Sequence, residues 1–140
     1  MRFSEETIRA AAFRFEHEAG DPLGEFERAE IAKHGIDQIN PQILMHELQR
    51  AALNERETDS SYRQQIYWAL GKIKTNHMKA FFTSCLRLEL RRDMEAVYQI
   101  MIGLDNIGEK IFSPTRNGYS GLECELNRQD AEAYLSMLVS

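Results

Sequence analysis

The sequence predicts an all-α fold, and three observations predict it. Apolar residues recur at spacings of three and four over successive stretches, the period of a helix with one buried face. Ser, Asp or Asn stands ahead of most of those stretches, followed by acids or proline, as at helix starts. No segment alternates apolar and polar residues long enough to build a sheet. The expected architecture is a small irregular stack of six or seven helices, paired as hairpins, with one long C-terminal loop.

The elements follow in chain order. Ser4 is placed to cap the first helix, with Glu5 and Glu6 at the positive end of its dipole and Phe3 and Ile8 at hydrophobic-staple spacing. Ile8, Ala11, Ala12, Phe15 and Ala19 form its stripe, and Gly20 is placed to close it. In "DPLGEF", Asp21 is expected to cap a second helix with Pro22 at its first position. Leu23, Phe26, Ala29 and Ala32 would form its buried face and Gly35 its end. "NPQILMHELQRAAL" repeats that start, with Asn40 as cap, Pro41 behind it, and a stripe of Leu44, Leu48, Ala51 and Ala52.

A polar connection, "NERETDS", comes next. Ser61 and Gln64 have capping-box spacing, and the helix after them carries Tyr62, Ile66, Ala69, Leu70 and Ile73 on one face. Thr75 or Asn76 caps the following helix, with Met78, Phe81, Phe82, Cys85 and Leu86 inward. Asp93 caps another, with Val97, Ile100, Met101, Leu104 and Ile107 inward and Gly108 after it. The helical pattern then stops. "EKIFSPTRNGYSGLECEL", Glu109 to Leu126, reads as a long ordered loop whose Asn117-Gly118 turn signal could join two short strands. Asn127 is expected to cap the last helix, with Ala131, Leu135 and Leu138 inward.

The chain of 140 residues has the length of one domain, so a single helical domain over 1–140 is expected, with N-terminal helices over 1–58, a middle region over 59–108 and the loop with its final helix over 109–140. No apolar run reaches bilayer length, and the N-terminus lacks the apolar core of a signal peptide; both point to the cytoplasm. Cys85 and Cys124 have no metal-binding or redox spacing and are expected as free thiols, the first buried and the second accessible. The net charge of −5 is unevenly spread. Residues 1–60 carry 7 basic and 13 acidic groups, residues 61–92 carry 7 and 1, and residues 93–140 carry 3 and 8. A basic middle thus lies between two acidic ends.

That middle contains an echo. At an offset of 34 residues, Asp59 matches Asp93, Gln65 matches Gln99, Ile66 matches Ile100, Leu70 matches Leu104 and Ile73 matches Ile107. Ala69 meets Gly103, also small. A cap and a set of core positions repeating at about 20–50 residues is the mark of stacked helical repeats, because one helix pair cannot bury its own face. Tyr62-Arg63, then Ala69-Leu70-Gly71-Lys72-Ile73, then the apolar helix "TNHMKAFFTSCLRLEL", then Asp93 and Gly103-Leu104-Asp105-Asn106-Ile107-Gly108, resemble the HEAT-like repeat family over residues 59–108. The resemblance implies paired helices and a surface for binding rather than catalysis.

Catalytic sets are not legible. His17-Glu18 and His46-Glu47 open like the zinc-protease motif, but Asp21 and Arg50 stand where its second histidine belongs. No phosphate-cradling loop, nucleophile motif or metal spacing is present, so no catalytic, cofactor or metal residues are assigned and an enzyme is not expected. Trp68 lies opposite the stripe of its helix, either packed on the preceding helices or exposed as an anchor.

A short, acidic chain of this kind resembles in general profile the bacterial immunity proteins, which neutralise toxins, often nucleases, by capping a basic cleft. The expected function is therefore protein binding, with a basic toxin domain as partner and Asp105, Glu109, Tyr119, Glu123 and Glu125 as the binding face. No membrane, cofactor or small-molecule ligand is expected. Two alternatives stand beside it. One is nucleic-acid binding through Arg63, Lys72, Lys74, Lys79, Arg87, Arg91 and Arg92; the other is a regulatory or oligomerising subunit.

Overall fold

A computed structural model describes residues 2–54 and 59–139, and among them it contains seven α-helices and no strand. They are α1 (Glu5–Glu18), α2 (Glu25–Lys33), α3 (Pro41–Leu53), α4 (Ser60–Leu70), α5 (Lys79–Glu89), α6 (Met94–Asn106) and α7 (Cys124–Val139). Short 3-10 turns precede α3 and α5 at Ile36–Gln38 and Asn76–Met78. The all-α fold class is thus the observed one. Contacts divide the chain into two compact units, Met1–Ile73 and Lys74–Ser140, and the boundary falls inside the echoed region. No described helix is long and apolar enough to cross a membrane.

In the N-terminal unit, α1 packs against α2 and α4, and α4 packs against α3. Ser4 caps α1 by accepting from the Thr7 amide at 3.1 Å. Gly20, at φ +111°, donates to the His17 carbonyl while Asp21 donates to that of Glu16, the paired bonds of a Schellman stop. This corrects the expected start of the second helix. Asp21 belongs to the close of α1 and stands four residues ahead of Glu25, too far to cap α2, whose N-cap position is Gly24. Pro22 and Leu23 lie in the connection, and α2 begins after Gly24 with Glu25 and Glu27 in its first turn. Its buried residue is Ile31, whereas Phe26, Ala29 and Ala32 are exposed. Asn40 caps α3 through the amides of Gln42 and Ile43, and Leu44, Met45, Leu48 and Ala52 are buried on it.

Asp59 caps α4, accepting from the Tyr62 amide at 2.8 Å. The Ser61–Gln64 capping box does not form: Gln64 bonds Ser60 and Gln65 bonds Ser61, each one helical turn back. The connection before α4 lies for the most part, 55–58, outside the described residues. Ile66, Ala69 and Leu70 are fully buried with Tyr67, and Arg63 is buried beside them.

In the C-terminal unit, α6 packs against α5 and α7. Asp93 caps α6 through the amides of Glu95 and Ala96. Val97, Ile100, Met101 and Leu104 meet Met78, Phe82, Cys85 and Leu86 in a core with no solvent exposure beyond a trace. Glu89 is completely buried, and the Arg92 guanidinium grips it with two hydrogen bonds, Nε at 2.8 Å and Nη2 at 3.0 Å. A buried carboxylate is tolerated when such a bidentate partner offsets its desolvation. Gly108, at φ +87°, stops α6 with a second Schellman pair, its amide to Asp105 and that of Glu109 to Leu104.

A candidate binding surface on the C-terminal unit

Everything between α6 and α7 hangs from buried anchors. The Schellman stop delivers Glu109 into the unit, where its Oε1 accepts from the Tyr134 hydroxyl at 2.6 Å and from Lys79 Nζ at 3.1 Å. The Tyr134 hydrogen bond, then the lysine, holds the Glu109 carboxyl below its ordinary pKa against the cost of burial. Burial and the same carboxylate push the Tyr134 phenol up. Ile111 and Phe112 follow as buried apolar plugs.

Arg116 is the centre of the loop. Only 6% of its side chain is exposed. Nη1 donates to Asn127 Oδ1 and to Asp130 Oδ2, both at 2.9 Å, and Nη2 donates to Glu123 Oε1 at 3.0 Å. Burial works against its charge, and the Asp130 and Glu123 carboxylates outweigh it, raising its pKa. Two expectations are corrected here. Asn127 does not cap α7; it sits inside the helix, fully buried, and its Nδ2 donates to the Ser120 carbonyl at 3.0 Å. α7 therefore starts at Cys124. No strand forms about Asn117-Gly118 either: with Arg116 drawing the chain onto α7, the backbone there turns instead of extending.

This framework fixes an aromatic group. The rings of Phe112 and Tyr119 stack at 3.9 Å and 15°, and Tyr98 meets Phe112 edge-on at 6.3 Å. The Tyr98 ring also lies 3.3 Å from where a Cβ on Gly121 would stand, so the chain passes close over it. Three large apolar side chains stay at the surface in and just after the loop. Tyr119 is 44% exposed, Leu122 91% and Leu126 41%.

The five residues predicted as a binding face thus take three different roles. Asp105, Glu109 and Tyr119 line one shallow cleft of about 430 Å³ with Phe112, Pro114 and Lys110. Of these, Glu109 is spent on Tyr134 and Lys79, leaving Asp105 and Tyr119 at the surface. Glu123 and Glu125 part company: Glu123 turns to Arg116, while Glu125 is exposed on the first turn of α7. Leu122 and Leu126 were missed. Their signal was present in "GLECEL", two leucines flanking acids and outside the Ala131 stripe.

Four of the seven basic residues of the middle segment are buried or engaged. Arg63 is buried, Lys79 is paired with Glu109, Arg92 with Glu89, and the Lys72 ammonium lies 5.1 Å from the centre of the Trp68 ring. Trp68 itself is at the surface, 36% exposed. Cys85 is buried and Cys124 exposed, both free thiols. Among the described residues no three His, Cys, Asp or Glu side chains come together as metal ligands. Compared with known proteins, the chain matches no family model, and no curated protein or solved structure is significantly similar to it.

Proposed function

We propose that this chain is a non-enzymatic protein-binding domain, built on HEAT-like helix pairs, that docks a basic protein partner on the loop side of its C-terminal unit. The reading extends to an immunity protein that blocks a basic, nuclease-type bacterial toxin. One observation carries it: Tyr119 and Leu122 are exposed on a loop that a buried arginine holds in place, and Leu126 is exposed in the first turn of the helix that follows. Exposed apolar groups on an ordered frame lose little entropy on binding, and such residues make the strongest contacts of protein interfaces. Asp105 and Glu125 give the surroundings the charge that would steer a basic partner. Glu109 and Glu123 support the frame and are removed from the contact set. The pairing of Lys79 and Arg92 with carboxylates favours this reading over nucleic-acid binding along the basic segment.

The test is crosslinking and capture from the native cell, followed by affinity measurement with the purified captured protein. The reading expects a basic partner. Leu122→Asp should abolish capture, Tyr119→Ala should raise the off-rate, and Glu125→Lys should slow association and flatten its salt dependence. Capture that survives Leu122→Asp would end the assignment of this surface.

A further inference from the structure

We propose that Asn117-Gly118 is a self-modifying site, where the asparagine of the folded chain closes on the next amide and reopens as aspartate or isoaspartate. That chemistry needs a free carboxamide, a free amide nitrogen one residue on, room to bring them together, and water. The chain has six asparagines, and Asn117 alone precedes a glycine. Asn40 precedes Pro41, whose nitrogen has no hydrogen to lose. Asn127 is buried inside α7 with its carboxamide on Arg116 and Ser120. The amide after Asn106 donates to the Leu104 carbonyl. Asn54 and Asn76 precede Glu55 and His77, whose side chains crowd the attack.

At Asn117 every requirement is met. Asn117 and Gly118 are both exposed, so water reaches them. Among the described residues no hydrogen bond engages the Asn117 carboxamide or the Gly118 amide. A Cβ on Gly118 would meet nothing within 4 Å, so the peptide plane has space to turn, and φ at +87° is a conformation that glycine holds without strain. The Gly118 nitrogen attacks Asn117 Cγ and a cyclic imide forms. The carboxamide nitrogen leaves as ammonia and takes the amide proton with it. Water then opens the ring, its hydroxyl going to an imide carbonyl and its hydrogen to the Gly118 nitrogen. Opening at Cγ gives aspartate, and opening at the main-chain carbonyl gives isoaspartate.

Both products place a new carboxylate near Tyr119. Isoaspartate also routes the main chain through the side chain and lengthens it by one methylene. The extra length falls between Arg116, held by Asn127, Asp130 and Glu123, and Tyr119, stacked on Phe112 at 3.9 Å. The Tyr119 ring must shift, and the docking surface changes with it. This last consequence alone rests on the docking reading above.

The experiment incubates the full native chain at neutral and at alkaline pH, with a parallel sample unfolded in urea, and needs no partner. Peptide mass mapping reads the exchange of NH₂ for OH, and labelling by an isoaspartyl methyltransferase reads the isoaspartate. Conversion should appear at Asn117 ahead of every other asparagine, run faster at alkaline pH, and be lost in Asn117→Gln, whose longer side chain closes a less favourable ring. Ring resonances of Phe112 and Tyr119 should move in the isoaspartate form. They should stay in place in Asn117→Asp, which has the charge on an ordinary backbone. A native chain that keeps Asn117 intact while the unfolded chain converts would overturn the site, because the fold would then protect it. Unmoved Phe112 and Tyr119 resonances in the isoaspartate form would overturn the effect on the loop. Conversion at Asn117 in a chain that captures no basic partner would uphold the site and remove only the docking reading.

Discussion

Helices α4 and α6 begin alike and end differently. Both are capped by an aspartate, both bury an isoleucine and a leucine one turn apart, and these residues stand 34 positions from one another in the chain. Yet α4 is flanked by α1 and α3, and α6 by α5 and α7. Beside its stripe α4 buries Arg63 and Tyr67, whereas α6 buries Ala96 and Met101. At the matched small position α4 has Ala69 and α6 has Gly103, because the Phe82 ring lies 2.8 Å from where a Cβ on Gly103 would stand. α4 runs on through Gly71 in a right-handed turn, while Gly108 stops α6 and hands Glu109 to Tyr134 and Lys79. The repeated letters specify which side of a helix is buried. The unrepeated ones specify what covers it and what the chain does next.

The largest effect should come where the comparison has no counterpart. Arg116→Met leaves Asp130, Glu123 and Asn127 without their shared donor and should cost about 3–5 kcal/mol. Hydrogen exchange should place that loss in residues 74–139 and spare those before 74. A loss under about 1 kcal/mol would mean that the loop is an ornament on α7.

Leu70→Ala and Leu104→Ala remove equivalent, fully buried side chains and should each cost about 2–5 kcal/mol in denaturant unfolding. If only one of the pair is costly, the echo is not a structural equivalence. The small position should separate the helices. Gly103→Ala pushes a methyl into the Phe82 ring, at a cost of about 1–3 kcal/mol. Ala69→Gly loses helix propensity, about 1 kcal/mol. A Gly103→Ala protein that melts higher than the parent would show that Phe82 can yield.

The smallest effect is electrostatic and directional. The folded pKa of Glu109 lies below its unfolded value, so its contribution is present above the ordinary carboxylate range and lost as pH falls through the folded value. Glu109→Gln should flatten the acid side of the stability curve in the C-terminal unit. Tyr134 is shifted the other way. Its contribution is present below about pH 10, the ordinary phenol value, and lost as pH rises through the folded one. Tyr134→Phe should remove that alkaline dependence. Unchanged pH profiles in both variants would discard the Glu109–Tyr134 pair as a source of stability.

Most of the fold was legible because it is local. Ser4, Asn40 and Asp93 cap through amides two or three residues away, and the stripes of α1, α3, α4, α5 and α6 follow one period. The misreadings share a cause. Asp21 and Asn127 both look like caps, but Asp21 belongs to the close of the preceding helix and Asn127 spends its side chain on Arg116 and Ser120. Each has more than one favourable use, and local sequence does not rank them. Likewise α2 carries a weak apolar pattern, and only packing chose Ile31 over Phe26 for burial.

By itself, then, the sequence determined that this chain is helical, where most helices start, and which of their faces turn inward. Those properties depend on backbone capping and on a periodicity within a few residues. Tertiary structure alone decided that five candidate surface residues divide into Glu109 and Glu123, which brace the frame, and Asp105, Tyr119 and Glu125, which face solvent. It also decided that Leu122 and Leu126 stay exposed. The reason is physical: a carboxylate is inward only if some cation reaches it, and Lys79 and Arg116 come to theirs from 30 and 7 residues away. No spacing rule spans both distances.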